Sequence, residues 1–290
     1  MLGVTFRRYI GRAIHAVVAK SLAHNLKHMK LKDQIAVITG GSMGIGEAIA
    51  KLFVNEGAKV VLCSREAARC EEARQRIGHP EQTVALACDV RNRASIDALI
   101  MAVLARFGRI DIWINNAGYG LLDSTENLDL TAARELFDTN LWGAVQGMQA
   151  VIPAMQRQRS GVIANVSSAA GYIGVPYMPA YCASKHALNA ISHTSRLELD
   201  QYGIAIVSVC PGYVQTEFGK NAVKGSDSRR VGGSTKHGIT ADRVARAVLR
   251  GCVKKSREIV VPWYYRPLFV TYSMWPGLIE TMLRKSVRKI

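Results

Sequence analysis

Short apolar runs alternate along this chain with longer stretches in which apolar positions recur every three or four residues. The short runs are Gln34–Ile38, Lys59–Cys63, Thr83–Ala87, Ile110–Ile114, Gly161–Val166 and Ile204–Val209. They are brief, rich in branched residues and free of strict polar alternation, so they predict strands buried on both faces. Between them the period changes. Ile45, Ile49, Leu52 and Phe53 share one helical face, and helical patterns also run over Thr131–Met155 and Ala180–Tyr202. Strands that alternate with amphipathic helices predict an α/β fold in which helices cover both faces of a parallel sheet. At 290 residues the chain suits one large domain with appendages.

The first strand runs straight into Thr39-Gly40-Gly41-Ser42-Met43-Gly44-Ile45-Gly46, and a helix follows. Strand, glycine turn and helix form the context of a dinucleotide cradle. Gly40 allows a tight turn, Gly44 lets backbone N–H groups approach a pyrophosphate, and Gly46 lets the helix pack on the strand. The free N–H groups and dipole of the helix start favour the anion.

A second cluster lies past the middle. Tyr181 and Lys185 are four residues apart in a helical pattern, so their side chains share a face. A free phenol titrates near ~10, and a neighbouring ammonium lowers that value toward the range of a general base. Ser168 lies 13 residues upstream, just past a strand tip that would present its hydroxyl.

Together these segments resemble the short-chain dehydrogenase/reductase family, in its single-domain form, over roughly residues 31–262. Further matches are Asp89-Val90 after the third strand, Asn115-Asn116-Ala117-Gly118 after the fourth, Asn140 in the following helix, and Pro211-Gly212 with Thr216 after the sixth. The resemblance implies a doubly wound Rossmann-type sheet of seven strands in the order 3-2-1-4-5-6-7. It implies a catalytic set of Asn140, Ser168, Tyr181 and Lys185. Tyr181 would serve as general acid or base, tuned by Lys185, with Ser168 orienting the substrate oxygen and Asn140 anchoring a water. Cofactor contacts are implied for Gly40, Ser42, Met43, Gly44, Ile45, Gly46, Ser64, Arg65, Asp89, Val90, Asn116, Ala117, Gly118, Pro211, Gly212, Val214 and Thr216, as well as Tyr181 and Lys185. The second strand ends on Ser64-Arg65, where a carboxylate would repel a 2′-phosphate and a guanidinium binds one. This favours NADP(H) over NAD(H), although Met43 stands where many NADP-using relatives carry a second basic residue. An enzyme acting on an apolar acyl-chain, retinoid or steroid-like carbonyl or alcohol is expected; the alternative is a catalytically silent NADP(H)-binding scaffold. A homodimer or homotetramer also follows from the resemblance.

Charge adds a second theme. Residues 1–30 carry six Lys/Arg and no Asp/Glu, residues 220–290 carry 16 against 4, and residues 31–219 carry 16 against 18. The net charge of +16 therefore resides in the terminal parts. Both ends, 1–30 and 263–290, combine cations with helix-period apolar residues, and the C-terminal one adds Trp263, Tyr264, Tyr265, Phe269, Tyr272 and Trp275. Such segments suit an anionic membrane surface, or packing on the body or on a partner subunit. Their apolar periodicity argues against nucleic acid as the partner. Residues 1–30 also fit a transit peptide. The six cysteines form no C-x-x-C pair and read as reduced thiols of a cytoplasmic protein, with no metal site. Lys224–His237, rich in Gly, Ser and charge, reads as a mobile lid over a pocket built from residues 169–180 and 213–238.

Overall fold

Branched and small apolar residues fill the central strands, and the packing explains why no alternation is seen. Every residue is buried in β1 (Ile35–Thr39), β4 (Ile112–Asn115), β5 (Gly161–Val166) and β6 (Ile204–Pro211). With β2 (Lys59–Ser64), β3 (Thr83–Ala87) and β7 (Glu258–Val261) they form one parallel sheet in the order 3-2-1-4-5-6-7. A parallel sheet covered on both faces selects near-continuous apolar strands. These features belong to a computed structural model that describes residues 29–228 and 238–287. The N-terminal amphipathic stretch up to residue 28, most of the expected lid (229–237) and Arg288, Lys289 and Ile290 lie outside the described residues.

Two cores sandwich the sheet. On one face, α1 (Gly44–Asn55) and α7 (Ala241–Lys254) bury Ile49, Phe53, Val244 and Val248 against Ala36, Ile38, Val207 and Val209. On the other, α3 (Arg93–Phe107) and α5 (Gly143–Gln158) bury Ile96, Val103, Met148 and Val151 against Val37, Trp113, Ile163 and Ile206. Each large side chain fully removed from water contributes roughly 1.5–3 kcal/mol before entropy is charged. Toward the β3 edge the sheet is covered by α2 (Ala67–Ile77), which packs on β3 and β2.

The helix expected over Thr131–Met155 is interrupted. It consists of α4 (Leu130–Phe137), a wider π turn (Asp138–Trp142) and then α5. Helix α6 (Pro179–Leu199) opens with proline at its first turn, where the missing N–H costs nothing, and ends in a 3₁₀ turn over Asp200–Tyr202. After β7, the chain forms α8 (Tyr265–Met274) and α9 (Pro276–Val287). Among the described residues, no helix is long and apolar enough to cross a membrane.

Candidate active site

The glycine turn joins β1 to α1 with no room to spare. Gly40 and Gly44 have φ of 62° and 57°, conformations that favour glycine. A Cβ on Gly40 would lie 2.9 Å from the Ala117 Cα, and one on Gly46 only 2.3 Å from the Gly40 carbonyl oxygen. Gly44 differs: its nearest neighbour would be the Thr216 methyl at 3.4 Å, so it faces the far side of a cleft. Helix α1 has no side-chain cap at its N-terminus, which leaves its first N–H groups to an outside acceptor. A dinucleotide pyrophosphate fits this turn: it supplies the missing acceptor, and the glycines let it approach the backbone.

The sheet tips around the turn are locked by polar side chains. Thr39 Oγ1 accepts the Asn116 and Ala117 backbone N–H groups at 3.0 and 3.1 Å and donates to Ile114 O at 3.1 Å. Asn116 Nδ2 donates to Thr39 O and Gly40 O, both at 3.0 Å. Deeper in the sheet a buried chain runs from Trp113 Nε1 to Asn115 Oδ1 (2.7 Å), from Asn115 Nδ2 to Asn165 Oδ1 (2.8 Å), and from Asn165 Nδ2 to Ser192 Oγ (2.8 Å). These satisfied buried groups fix β4, β5 and α6 relative to one another. Asn116 and Ala117 were identified from the sequence; Thr39, Asn165 and Ser192 were not.

At the far end of the cradle, Ser64 ends β2 and Arg65 follows it, exposed to solvent. Asp89 lies nearby and is held below the usual carboxylate range, first by hydrogen bonds from Arg91 and more weakly by the Arg65 charge. Arg91 Nη2 donates to Asp89 Oδ2 at 2.6 Å. Val90 is buried and packs where a Cβ on Gly143 would lie 2.8 Å from its methyl. Met43 sits beneath the segment after β6, with the Asn221 amide 3.4 Å from its sulfur. Another cation does reach this turn, because Arg76 Nη2 donates to Ser42 O at 3.2 Å while its guanidinium pairs with Glu47. Ile45, in the first turn of α1, packs on the core beneath the turn.

At the other end of the cradle, Pro211 closes β6, and Gly212 N donates to Val261 O at 2.8 Å. Val214 pairs with Ile239 in a two-residue ladder, and Thr216 faces Gly44.

The chemical set converges beside this cradle. Ser168 caps a 3₁₀ turn, its Oγ accepting the Ala170 N–H at 3.1 Å, and its hydroxyl stands near enough to the Tyr181 phenol to favour the phenolate. Tyr181, 8% exposed, packs edge-on against Phe218 with ring centroids 5.4 Å apart. One turn further along α6, Lys185 Nζ donates to Val166 O at 3.0 Å and lies 5.8 Å from the Tyr181 ring centre. Asn140, in the π turn, accepts the Tyr119 N–H (3.0 Å) and donates to Tyr119 O (2.9 Å). Gly118 separates the two: a Cβ there would lie 2.9 Å from Asn140 Oδ1 and 3.8 Å from Lys185 Nζ. Only glycine leaves that gap open. A π turn re-aims one side chain without ending the helix, and here that side chain is Asn140.

The electrostatics differ from the expectation. Lys185 was expected to lower the Tyr181 pKa. Instead burial pushes the phenol up to about 12, opposed only partly by the Ser168 hydrogen bond. The same burial pulls the Lys185 ammonium down to about 8. Desolvation is the largest cause for both groups: both are buried, and Lys185 directs its hydrogen bond to a backbone carbonyl.

A stability consequence follows. Holding Lys185 charged in the fold, with its value down from 10.5 to about 8, costs about 3 kcal/mol below pH 8. As pH rises from 8 to 10.5 the folded amine loses its proton first, so this cost disappears. Lys185→Met removes the cost and leaves Val166 O without its partner, a loss of about 1 kcal/mol. Without cofactor, the variant should melt above the native protein at pH 7, and the gap should close or reverse by about pH 10. A gap that stays constant across that range, read by thermal denaturation of both proteins, would refute the assignment.

A cleft of about 480 Å³ lies beside this site, between α9 and the 174–182 segment; neither Ser168 nor Tyr181 lines it. Among the described residues no group of His, Cys, Asp and Glu could hold a metal ion.

Known proteins share these features. The model of the short chain dehydrogenase family matches residues 34–227. A "Dehydrogenase/reductase SDR family member 7B" of Danio rerio is 30% identical over 284 residues, covering 94% of this chain and 92% of that protein. An uncharacterized oxidoreductase of Staphylococcus epidermidis is 36% identical over 239 residues, covering 82% of this chain and 99% of its own. Among solved structures, a short-chain dehydrogenase from Streptomyces avermitilis superposes with a TM-score of 0.75 at 25% identity, covering 88% of this chain and 97% of that one. One from Burkholderia phymatum, in complex with NAD, superposes with a TM-score of 0.79 at 24% identity over 86% of this chain and 96% of its own, a likeness of fold. With the glycine cradle, the seven-stranded order and a family match over two-thirds of its length, this chain belongs to the short-chain dehydrogenase/reductase family of NAD(P)-binding oxidoreductases.

Proposed function

We propose that this protein is an NADP(H)-dependent oxidoreductase that interconverts a carbonyl and an alcohol on an apolar substrate of the acyl-chain, retinoid or steroid-like kind. The observation that carries this reading is the convergence of Ser168, Tyr181, Lys185 and Asn140 beside an uncapped helix start and an open glycine turn. The bound nicotinamide cofactor would supply or accept the hydride. In reduction, Tyr181 Oη gives its proton to the substrate oxygen; in oxidation it takes that proton back. A phenol held neutral by burial is suited to the first role. Ser168 Oγ shares a hydrogen bond with Tyr181 and with the substrate oxygen, which fixes the approach of the carbonyl. Lys185 holds the ribose and keeps a cation within reach of the phenol as it develops charge. Asn140 anchors the water through which Lys185 exchanges protons with solvent. The apolar setting of Tyr181, among Leu121, Leu136, Ala180, Val175 and Phe218, supports an apolar substrate.

Cofactor preference rests on the β2 tip. Arg65 is exposed beside Ser64, and no carboxylate stands at that position to take the two ribose hydroxyls. A guanidinium there binds a 2′-phosphate, so kcat/KM for NADPH should exceed that for NADH by tenfold or more, about 1.4 kcal/mol. Arg65→Ala should erase most of that margin and leave NADH turnover unchanged. Equal efficiency with the two cofactors in the native enzyme would overturn the preference.

The protein assembles as a homodimer or homotetramer through α4–α5 and α6, whose outer faces expose Leu130, Trp142 and Leu197. A monomer by light scattering at micromolar concentration would contradict this.

A further inference from the structure

The C-terminal hairpin of α8 and α9 is apolar on two sides, and among the described residues only one side has a partner. Its inner side carries Phe269 and Ile279, both buried, with Tyr265, Leu268, Tyr272 and Leu283 packed beside them. This side closes over Cys210, Val260 and Ile173, and Phe269 stacks on Tyr172 with centroids 4.7 Å apart. The hairpin thereby holds the segment that follows Ser168. Its outer side is a second stripe. Trp263, Val270 and Met274 recur at helical spacing, Trp275 stands at the bend, and Leu278 and Met282 continue the stripe on α9; all six are exposed. A helix that is apolar all round is normally buried all round, so the outer stripe calls for an occupant.

Charge selects that occupant. Residues 263–290 contain five Lys/Arg and a single acid, Glu280, which Arg284 already engages at 3.5 Å. Arg266 and Arg284 are exposed at the sides of the hairpin, Arg266 donating from Nη2 to Glu258 O at 3.0 Å and Arg284 bordering the cleft beside residues 174–182. Two tryptophans and a tyrosine (Trp263, Trp275, Tyr264) flank the stripe, the side chains that favour the boundary between headgroups and acyl chains. A second copy of this chain seated across a two-fold axis would place like charges against like. An anionic lipid surface meets both the stripe and the cations, and the hairpin is too short and too polar to span a bilayer.

We infer that the outer face of the α8–α9 hairpin docks on an anionic bilayer, lying in the interface with Trp263, Val270, Met274, Trp275, Leu278 and Met282 among the lipids and the excess cations of residues 263–290 supplying the preference for anionic headgroups. Docking is a property of this face and does not depend on the proposed reaction. The test uses the full-length Trp142→Phe protein, in which Trp263 and Trp275 are the exposed tryptophans and Trp113 is wholly buried. Vesicles of brominated phosphatidylcholine mixed with phosphatidylglycerol should quench tryptophan emission. Vesicles without phosphatidylglycerol should quench at least tenfold less at equal lipid, and raising salt from about 0.05 M to about 0.5 M should release the protein. Met274→Ser/Leu278→Ser/Met282→Ser should weaken binding at least tenfold, with melting temperature and NADPH-dependent turnover unchanged. If that variant loses its fold, Arg284→Gln/Lys285→Gln/Arg288→Gln/Lys289→Gln should remove the phosphatidylglycerol dependence instead. The inference is overturned if native protein shows no quenching, if neither variant weakens it, or if the triple substitution splits a larger assembly, which would make the stripe a subunit contact.

Discussion

Tyr181→Phe should lower kcat by about a thousandfold, the middle of the range that a positioned general acid contributes, while leaving NADPH binding within about twofold. The substitution removes one oxygen atom and keeps the ring, so the edge contact with Phe218 survives. It removes a buried hydroxyl near Ser168 and leaves the ring in place, so folding should change little. The split between kcat and binding is the informative part: a structural role for Tyr181 would move stability and cofactor affinity together, whereas loss of a proton donor moves kcat alone. Steady-state rates together with NADPH fluorescence titration separate the two. A variant that kept a tenth or more of native kcat would show that the proton comes from elsewhere.

Gly46→Ala should be the most damaging single methyl in the chain's cofactor cradle. The added Cβ would stand 2.3 Å from the Gly40 carbonyl oxygen and 2.7 Å from Asn116 Nδ2. Both neighbours are fixed: Gly40 by its left-handed backbone, and Asn116 by two hydrogen bonds to the turn. The methyl cannot be absorbed by rotating a flexible side chain, so α1 must shift away from β1. Overpacking of this kind costs about 1–3 kcal/mol, and loss of the Asn116 bonds adds about 1 kcal/mol for each. Melting should fall by several degrees, at roughly 2–4 °C per kcal/mol, and NADPH affinity should drop by more than tenfold as the N–H groups lose their alignment. Gly44→Ala provides the contrast, because its Cβ would meet only the Thr216 methyl at 3.4 Å. It should keep more of the packing, although its φ of 57° still disfavours alanine. Equal melting temperatures for native protein and Gly46→Ala would contradict the close fit described here.

Much of this architecture could be read from the chain because burial on both faces leaves a plain trace. Six strands were expected from their apolar runs, and each is in the sheet. The seventh, Glu258–Val261, has no such signature: it is a four-residue edge strand that begins on a carboxylate and follows Lys254, Lys255 and Arg257. The π turn at Asp138–Trp142 was equally silent, since one wider turn shifts the apolar period by a single residue. Buried polar residues in the strands and in α6 were misjudged in importance. Thr39, Asn165 and Ser192 look like minor interruptions in sequence, yet their hydrogen bonds set the spacing of the tips that carry the site. The electrostatic setting of Tyr181 and Lys185 was not legible in the sequence. Four residues on a helix bring Lys185 near Tyr181, but proximity in sequence says nothing of solvent, and burial displaces both groups in the direction opposite to mutual attraction. Periodicity exposed the amphipathic character of the C-terminus. Which of its apolar positions turn inward became readable only from the contacts of Phe269 with the body and the burial of Ile279.

The account's central claim is that hydride passes between a nicotinamide cofactor and a carbonyl carbon at this site. Transfer of isotope tests it most directly. The native enzyme is incubated with NADPH carrying deuterium at C4 of the nicotinamide and a panel of apolar ketones, and the products are read by mass spectrometry. The expected result is an alcohol with one deuterium on the carbinol carbon, from one C4 face only, and no such product with Tyr181→Phe. Cofactor oxidation without deuterated alcohol for any ketone, or equal product from the Tyr181→Phe protein, would contradict it.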